Sequence, residues 1–473
     1  MKSKEKPGLF FVVSLAVVLA VVMLLGSGCV PGAAPPTAPP TAPPEAPPTA
    51  PPEAPPTAPP TGEPWKVGYF GSLTNDQGRV GWRMTKAIIE EWNEKGGLLG
   101  RPIEYVEADT HMDVAEGIRA LEYLVETEKV DIISSSCLDD VSMGILPRIA
   151  EYKVPFIDTW TSAVWAIEAV AADYDNMKSY FMTCPDDYIL AQGFVYFAED
   201  VLREQMGWTT TVTMIEDTAY GHGMAEYIEE KFQELGIEIL DEVFFDIETT
   251  DYTPIWESIM AKQPDFVYYV FSANPIPPIS QYVENEYPVP VSGTCNEVAR
   301  YEFWEDVGGL GEGLGTIWLV PCIGMDLDPW TQEIWDRYQT VAGGRLLFPD
   351  FNSWDTYFGL AMAFESAEAV GGFEPLDAWV EEMENHEISV WKQGGRESAG
   401  PGDEVWLHFE FYGLGETDPI TDHNPVHNWV YDPSGKEGYP GMPAYVQWQE
   451  GEPVVIYPPI YGTGEFRLPA WLQ

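Results

Sequence analysis

Short apolar runs alternate with longer amphipathic segments through most of the chain. The runs at 65–71, 103–108, 130–133, 154–157 and 180–182 read as buried strands. Between the first two lies 82–94, where Met84, Ala87, Ile88 and Trp92 recur at helical spacing and Gly96-Gly97 ends the pattern. Segment 114–127 repeats that spacing with Ile118, Leu121 and Leu124, and Asp113 stands where an N-cap belongs. A third amphipathic helix covers 141–152. Strands joined by helix-length segments must be parallel, so this half predicts βαβ units.

After residue 163 the alternation restarts. Strands are expected at 209–215, 237–245, 265–271 and 289–294, with helices at 189–202, 224–235, 254–262 and 279–286. Polar turns follow the strands at 216–223 and 272–278. Segment 316–405 holds further elements, including a long helix across 356–369. From about 406 the chain becomes aromatic and Gly/Pro-rich, which reads as strand and loop. The most informative stretch is 131–163, because both its turns leave the carboxyl ends of parallel strands. That edge of an open α/β sheet is where small ligands bind. Asp139, Asp140, Trp160, Thr161 and Ser162 fall there.

The N-terminus breaks the pattern. Lys2, Lys4 and Lys6 precede an apolar run over 9–25, and Gly26-Ser27-Gly28-Cys29 follows. A basic region, an apolar core and small residues form an export signal. Small residues before Cys29 resemble a lipobox, which makes Cys29 the lipid-attachment residue; Gly26 stands where such boxes usually carry Leu. The alternative is an uncleaved anchor helix, at the short end for spanning a bilayer. Residues 30–64 are low complexity, with an Ala-Pro-Pro-Thr/Glu repeat. Such a segment favours polyproline II and reaches up to about 100 Å at roughly 3.1 Å per residue.

Composition narrows the partners. With 24 Lys+Arg against 76 Asp+Glu, the formal charge is −52, so nucleic acid and anionic membrane surfaces are poor partners. The charge reads chiefly as a solvated surface suited to high salt or acid. Apolar residues at 45% supply an ample core. Besides Cys29, the cysteines are Cys137, Cys184, Cys295 and Cys322. In an exported protein they form up to two disulfides, with Cys295–Cys322 the preferred pair.

The order of motifs resembles the solute-binding proteins of branched-chain amino acid ABC transporters, of the type I periplasmic binding fold. VGYFGSLT at 67–74, NEKGGLLGRPIEYVEAD at 93–109 and IISSSCLDDVSMGILPRIAEYKVPFI at 132–157 carry the resemblance in the first half. DTAYGHGMAE at 217–226, DFVYY at 265–269, GLGEGLGTIWL at 309–319 and YVQWQEGEPVVIYPP at 445–459 carry it further. It implies two Rossmann-like lobes joined by three hinge crossings, with a ligand caught between them. The expected division is a signal over 1–28, a Pro-rich linker over 29–64 and lobe 1 over 65–183 plus 320–405. Lobe 2 is expected over 184–319 plus 406–440, with a closing strand and tail over 441–473. The implied function is an extracytoplasmic, membrane-anchored lipoprotein that hands a small polar ligand to a permease and its ATPase. A ligand-sensing module of the same fold, coupled to a signalling partner, is the alternative.

Carried over by position, the family's ligand contacts fall on Asp139, Thr161, Ser162 and Tyr220, with Trp160 beside them. A further contact falls near Ser272, and the family's ammonium-binding acid falls near Cys295, with Glu297 two residues on. Asp139 departs from the pattern, because a ligand carboxylate would be repelled there. Either Ser135 or Ser136 takes the role, or the ligand is not an ordinary α-amino acid. Asp139, Trp160 and Tyr220 together suit a cation or a neutral amide. Asp139 also reads as a turn or cap residue, Trp160 as lobe packing, and Glu297 as one solvated acid among many. Enzyme motifs are missing: the chain has no GxSxG, Walker A loop or HExxH, and GGLGEGLG at 308–315 fails GxGxxG. Pro425 between His423 and His427 argues against a helical metal pair. No catalysis, cofactor or metal is expected.

Overall fold

A computed structural model describes residues 59–319, 322–325, 329–342, 351–398, 400–431, 443–459 and 461–473. The export signal, Cys29 and most of the Pro-rich linker lie outside the described residues. Among the described residues no helix is long and apolar enough to cross a membrane.

Lobe 1 is built on five parallel strands: β1 (Trp65–Gly71), β2 (Ile103–Asp109), β3 (Ile132–Ser136), β4 (Phe156–Asp158) and β5 (Tyr180–Met182). Their order is β2-β1-β3-β4-β5. Successive residues of a strand point to opposite faces, and here both faces are apolar. Val67, Ile132, Ile157 and Phe181 enter one core, while Phe70, Ile133, Phe156, Tyr180 and Met182 enter the other. That double burial is why the inner strands read as short buried runs, whereas the edge strand β2 exposes Glu104 and Glu107. Asp113 caps the helix Val114–Glu122, accepting the Glu116 N–H. The helix Asp76–Glu94 begins six residues before the apolar pattern at Trp82, within the stretch expected to be a turn.

Lobe 2 repeats the plan with β6 (Thr210–Glu216), β7 (Glu238–Phe245), β8 (Phe266–Phe271) and β9 (Val291–Cys295), all parallel in the order β7-β6-β8-β9. Next to β9 runs β10 (Gly315–Leu319), where the Thr316 hydroxyl accepts the Cys295 N–H at 2.9 Å. The chain then returns to lobe 1. The helix Phe351–Val370 packs against Asp76–Glu94, and β11 (Ile388–Trp391) pairs antiparallel with β12 (Val405–Phe409). Finally β13 (Pro443–Gln449) and β14 (Glu452–Tyr457) form an antiparallel pair against β10. The result is an α/β protein of two parallel-sheet lobes crossed three times by the chain.

Two expectations are corrected. The segment 406–431 was expected in lobe 2, but it runs along the outer edge of the lobe 1 sheet. Met182 pairs in parallel with Asn428, and the Asn428 amide donates to the carbonyls of Met182 and Cys184 at 2.9 and 2.7 Å. The edge strand β5 needs a partner for its backbone groups, and this segment supplies it. The preferred disulfide is also absent: Cys137, Cys184, Cys295 and Cys322 are all buried free thiols. They pack as small apolar residues.

Candidate functional site

On the lobe 1 side, β4 ends at Asp158, and the turn after it must be held open-faced toward the cleft. Asp158, fully buried, does this from beneath. Its Oδ1 accepts the Trp160 and Thr161 N–H groups at 3.5 and 3.3 Å. Its Oδ2 accepts the hydroxyls of Ser142, Thr161 and Tyr180 at 2.7, 2.9 and 2.9 Å. Burial pushes the Asp158 carboxyl up, and these donors pull it back.

Asp139, in the first turn of the helix Asp139–Tyr152, grips the same turn from the side. One oxygen, Oδ1, accepts both the Ser162 and Ala163 N–H groups at 2.7 Å. The other accepts no hydrogen bond from any described residue, and Asp139 borders the gap between the lobes. Burial pushes this carboxyl up to about 7, against the downward pull of the two N–H groups. The hinge residue Asp187 completes the grip: its N–H donates to Ser162 O at 2.7 Å, and its Oδ1 accepts the Val164 N–H at 3.3 Å. Gly223 from lobe 2 lies so close that a Cβ there would stand 1.7 Å from Asp187 Oδ2. No side chain fits at that position.

On the lobe 2 side, Thr218 caps the helix Ala219–Leu235, which presents Tyr220 from its first turn. Glu216, the last residue of β6, is fully buried and clasps the turn after β8. Its Oε2 accepts the Ser272 N–H, the Ser272 hydroxyl and the Ala273 N–H at 2.8, 3.0 and 2.8 Å, and its Oε1 accepts the Asn274 N–H at 2.9 Å. Asn296 donates to Ser272 O at 3.2 Å. The buried Thr294 side chain borders the same gap, beside Tyr220.

These two sides meet across a narrow slot between the lobes whose free space, about 20 Å3, holds little more than a water molecule, so a ligand enters only when the lobes part. Asp139, Trp160 and Ser162 face it from lobe 1; Tyr220, Ser272, Thr294 and Asn296 face it from lobe 2; Leu190 and β10 residues Ile317, Trp318 and Leu319 floor it. Among the described residues no Lys or Arg borders it. Across its edge the Ala219 N–H reaches Asp140 Oδ2 at 3.4 Å, joining a lobe 1 helix start to a lobe 2 helix start.

Five of the expected contacts thus converge: Asp139, Trp160, Ser162, Tyr220 and Ser272. Thr161 and Glu297 do not. Thr161 is fully buried, its hydroxyl donating to Asp158 Oδ2 at 2.9 Å and lying 2.6 Å from Ser142 Oγ. Glu297 turns to Arg300, 2.6 Å away. Ser135 and Ser136, the alternatives for a displaced serine, are fully buried as well. Thr294 and Asn296 were missed. The signal was present, since they flank the end of a strand of the second sheet, but nothing in a run of small polar residues says which side chain turns inward.

Two α/β lobes crossed three times by the chain, with a slot lined from both sides, have the form of a clamshell binding protein. No curated protein sequence matches the chain. Residues 64–394 match the periplasmic binding protein family, and the chain belongs to that family. Its fold is shared with an ABC transporter substrate-binding protein from Sphaerobacter thermophilus, at TM-score 0.62 and 20% identity over 83% of this chain and 96% of that one. A leucine-binding protein from Thermotoga maritima matches at TM-score 0.61 and 18% identity, over 83% of this chain and 97% of that one. A solute-binding protein of an ABC transporter from R. palustris, solved with benzoate, matches at TM-score 0.64 and 16% identity, over 83% and 96%.

Proposed function

We propose that this protein is the extracytoplasmic receptor of an ABC importer and that its ligand is a small polar molecule offering N–H donors, either a cation or a neutral amide. The observation that carries the ligand class is Asp139. One of its oxygens is spent on the backbone of Ser162 and Ala163, and the residue borders a slot that no Lys or Arg borders among the described residues. An ionised carboxylate there accepts N–H groups and repels carboxylates. The rings of Trp160 and Tyr220 suit a cation or a flat amide. Leucine and benzoate, bound by proteins of the same fold, each carry a carboxylate, so this chain would have diverged in ligand chemistry within a shared clamshell. Closure over the ligand would present the rims of both lobes to a permease with its ATPase. A lipid on Cys29 and the Pro-rich linker would tether the receptor to the membrane.

A thermal-shift screen tests the ligand class, using putrescine, spermidine, glutamine, primary amides, leucine and benzoate. A ligand at 100 times its Kd stabilises by about 2.7 kcal/mol, which such a screen resolves. Stabilisation by an amine or amide, weakened about 10- to 100-fold in affinity by Asp139→Asn, is the expected result. Tight binding of leucine or benzoate that Asp139→Asn leaves unchanged would refute the assignment.

A further inference from the structure

Away from the slot, the hairpin of β11 and β12 gathers chemistry that ligand capture does not use. Ile388 pairs with Phe409, and Ser389 with His408. One step outward, the same register sets Glu387 opposite Glu410. Residues two apart in a strand share a face, so Glu387, Ser389, His408 and Glu410 stand together on the side away from the buried Ile388 and Phe409. Like charges directly opposed across a sheet are destabilising. Among the described residues neither carboxylate is paired with a Lys or Arg; the ion-pair partner that Glu410 finds is His408, 3.6 Å away.

One ligand atom from each of Glu387, His408 and Glu410 lies within 4.8 Å of the others. The Ser389 hydroxyl sits 2.8 Å from His408 Nδ1. When Nδ1–H donates to that hydroxyl, the lone pair of Nε2 points toward the carboxylates, as in a metal site with an oriented imidazole. Glu387 and Glu410 also line an open cavity beside Glu384 and Tyr412, which leaves room for water ligands.

We propose that Glu387, His408 and Glu410 bind a divalent transition-metal cation of the zinc class, with Ser389 as a positioning residue. An imidazole with two carboxylates suits zinc, cobalt or manganese better than calcium or magnesium, which take oxygen donors. Two carboxylates and a dication cancel in charge, which removes the cross-strand repulsion. Ligands about 2.1 Å from a tetrahedral ion stand roughly 3.4 Å apart, so the exposed Glu387 carboxylate swings inward on binding. The site is separate from the cleft, so it stands or falls independently of the ligand assigned there.

The test is isothermal titration of the EDTA-stripped full-length protein with Zn2+, with the visible spectrum of the Co2+ form as a second readout. One saturable site is expected. His408→Ala should weaken it at least 100-fold, and Ser389→Ala about 10-fold, with far-UV circular dichroism unchanged. Because Glu387 is exposed, Glu387→Gln gives the same readout if His408→Ala fails to fold. Equal Zn2+ binding by wild type, His408→Ala and Glu387→Gln would overturn the proposal, as would Ca2+ binding as tightly as Zn2+. Either result would mean that the acidic surface collects cations diffusely and that His408 serves only to neutralise Glu410.

Discussion

In the proposed site a single carboxylate, Asp139, would set both the chemistry and the pH response of the slot. Its folded-state pKa, about 7, lies above the ordinary value of 3.8. The ligand-free fold therefore keeps a proton that the unfolded chain releases, and stability drains away as pH rises from about 4 through 7. Between pH 5 and 8 this one group costs about 3 kcal/mol. Urea titrations at the two pH values should show a loss in wild type larger by about that amount than in Asp139→Asn. Ligand binding has the opposite slope. A cation needs the ionised carboxylate, so its affinity should fall about tenfold per pH unit below 7, whereas a carboxylate ligand held by protonated Asp139 would tighten on acidification. Calorimetry across pH 5.5–8.5 separates the two. Thr161 marks the boundary between binding and support. Thr161→Ala should cost about 1–2 kcal/mol of stability in urea unfolding and change ligand affinity less than about twofold, because its hydroxyl serves Asp158 and Ser142. Nothing at sequence level separates Thr161 from Ser162. Both are hydroxyl residues in one turn, and which one faces the slot depends on local backbone direction.

At the scale of elements, most of the parallel strands were legible because both sheet faces are apolar and each run ends at a polar turn. β8, FVYYVF, is buried at every position and could hardly be read otherwise. Helix starts were less legible. The helix Ala219–Leu235 begins five residues before the expected Met224, since its first turn is Ala-Tyr-Gly-His-Gly and Thr218 supplies the cap. That early start is what brings Tyr220 to the slot on a helix instead of a loop. The hairpin of β11 and β12 and the return of 411–431 to β5 left no periodic signal, because their pairings are long-range and their residues irregular. The turn after β8 depends on Glu216 alone for four of its hydrogen bonds. Glu216→Gln replaces an acceptor by a donor beneath three N–H groups. We expect a loss of roughly 2–3 kcal/mol in urea unfolding and weaker ligand binding through Ser272 and Asn296, with wild-type behaviour at Asp139 retained in the pH profile.

For the whole molecule, the acidic surface, the linker and the clamshell fit a receptor working outside the cell membrane. If Cys29 carries the anchor, Cys29→Ser should move the protein from the membrane fraction to the soluble fraction, with unchanged ligand affinity. Retention in the membrane would point instead to the uncleaved apolar segment over 9–25. The sequence by itself determined the alternation of strands and helices in two successive α/β runs, because hydrophobic periodicity is a local property that survives without coordinates. Only the tertiary structure decided which polar residues are free to meet a ligand. Asp139, Asp158, Asp187 and Glu216 look alike as acids at strand ends and helix starts. Asp158, Asp187 and Glu216 hold turns and the hinge away from the slot, while Asp139 holds a turn and also borders the slot. That division is set by contacts between residues tens of positions apart, and the pattern along the chain does not record it.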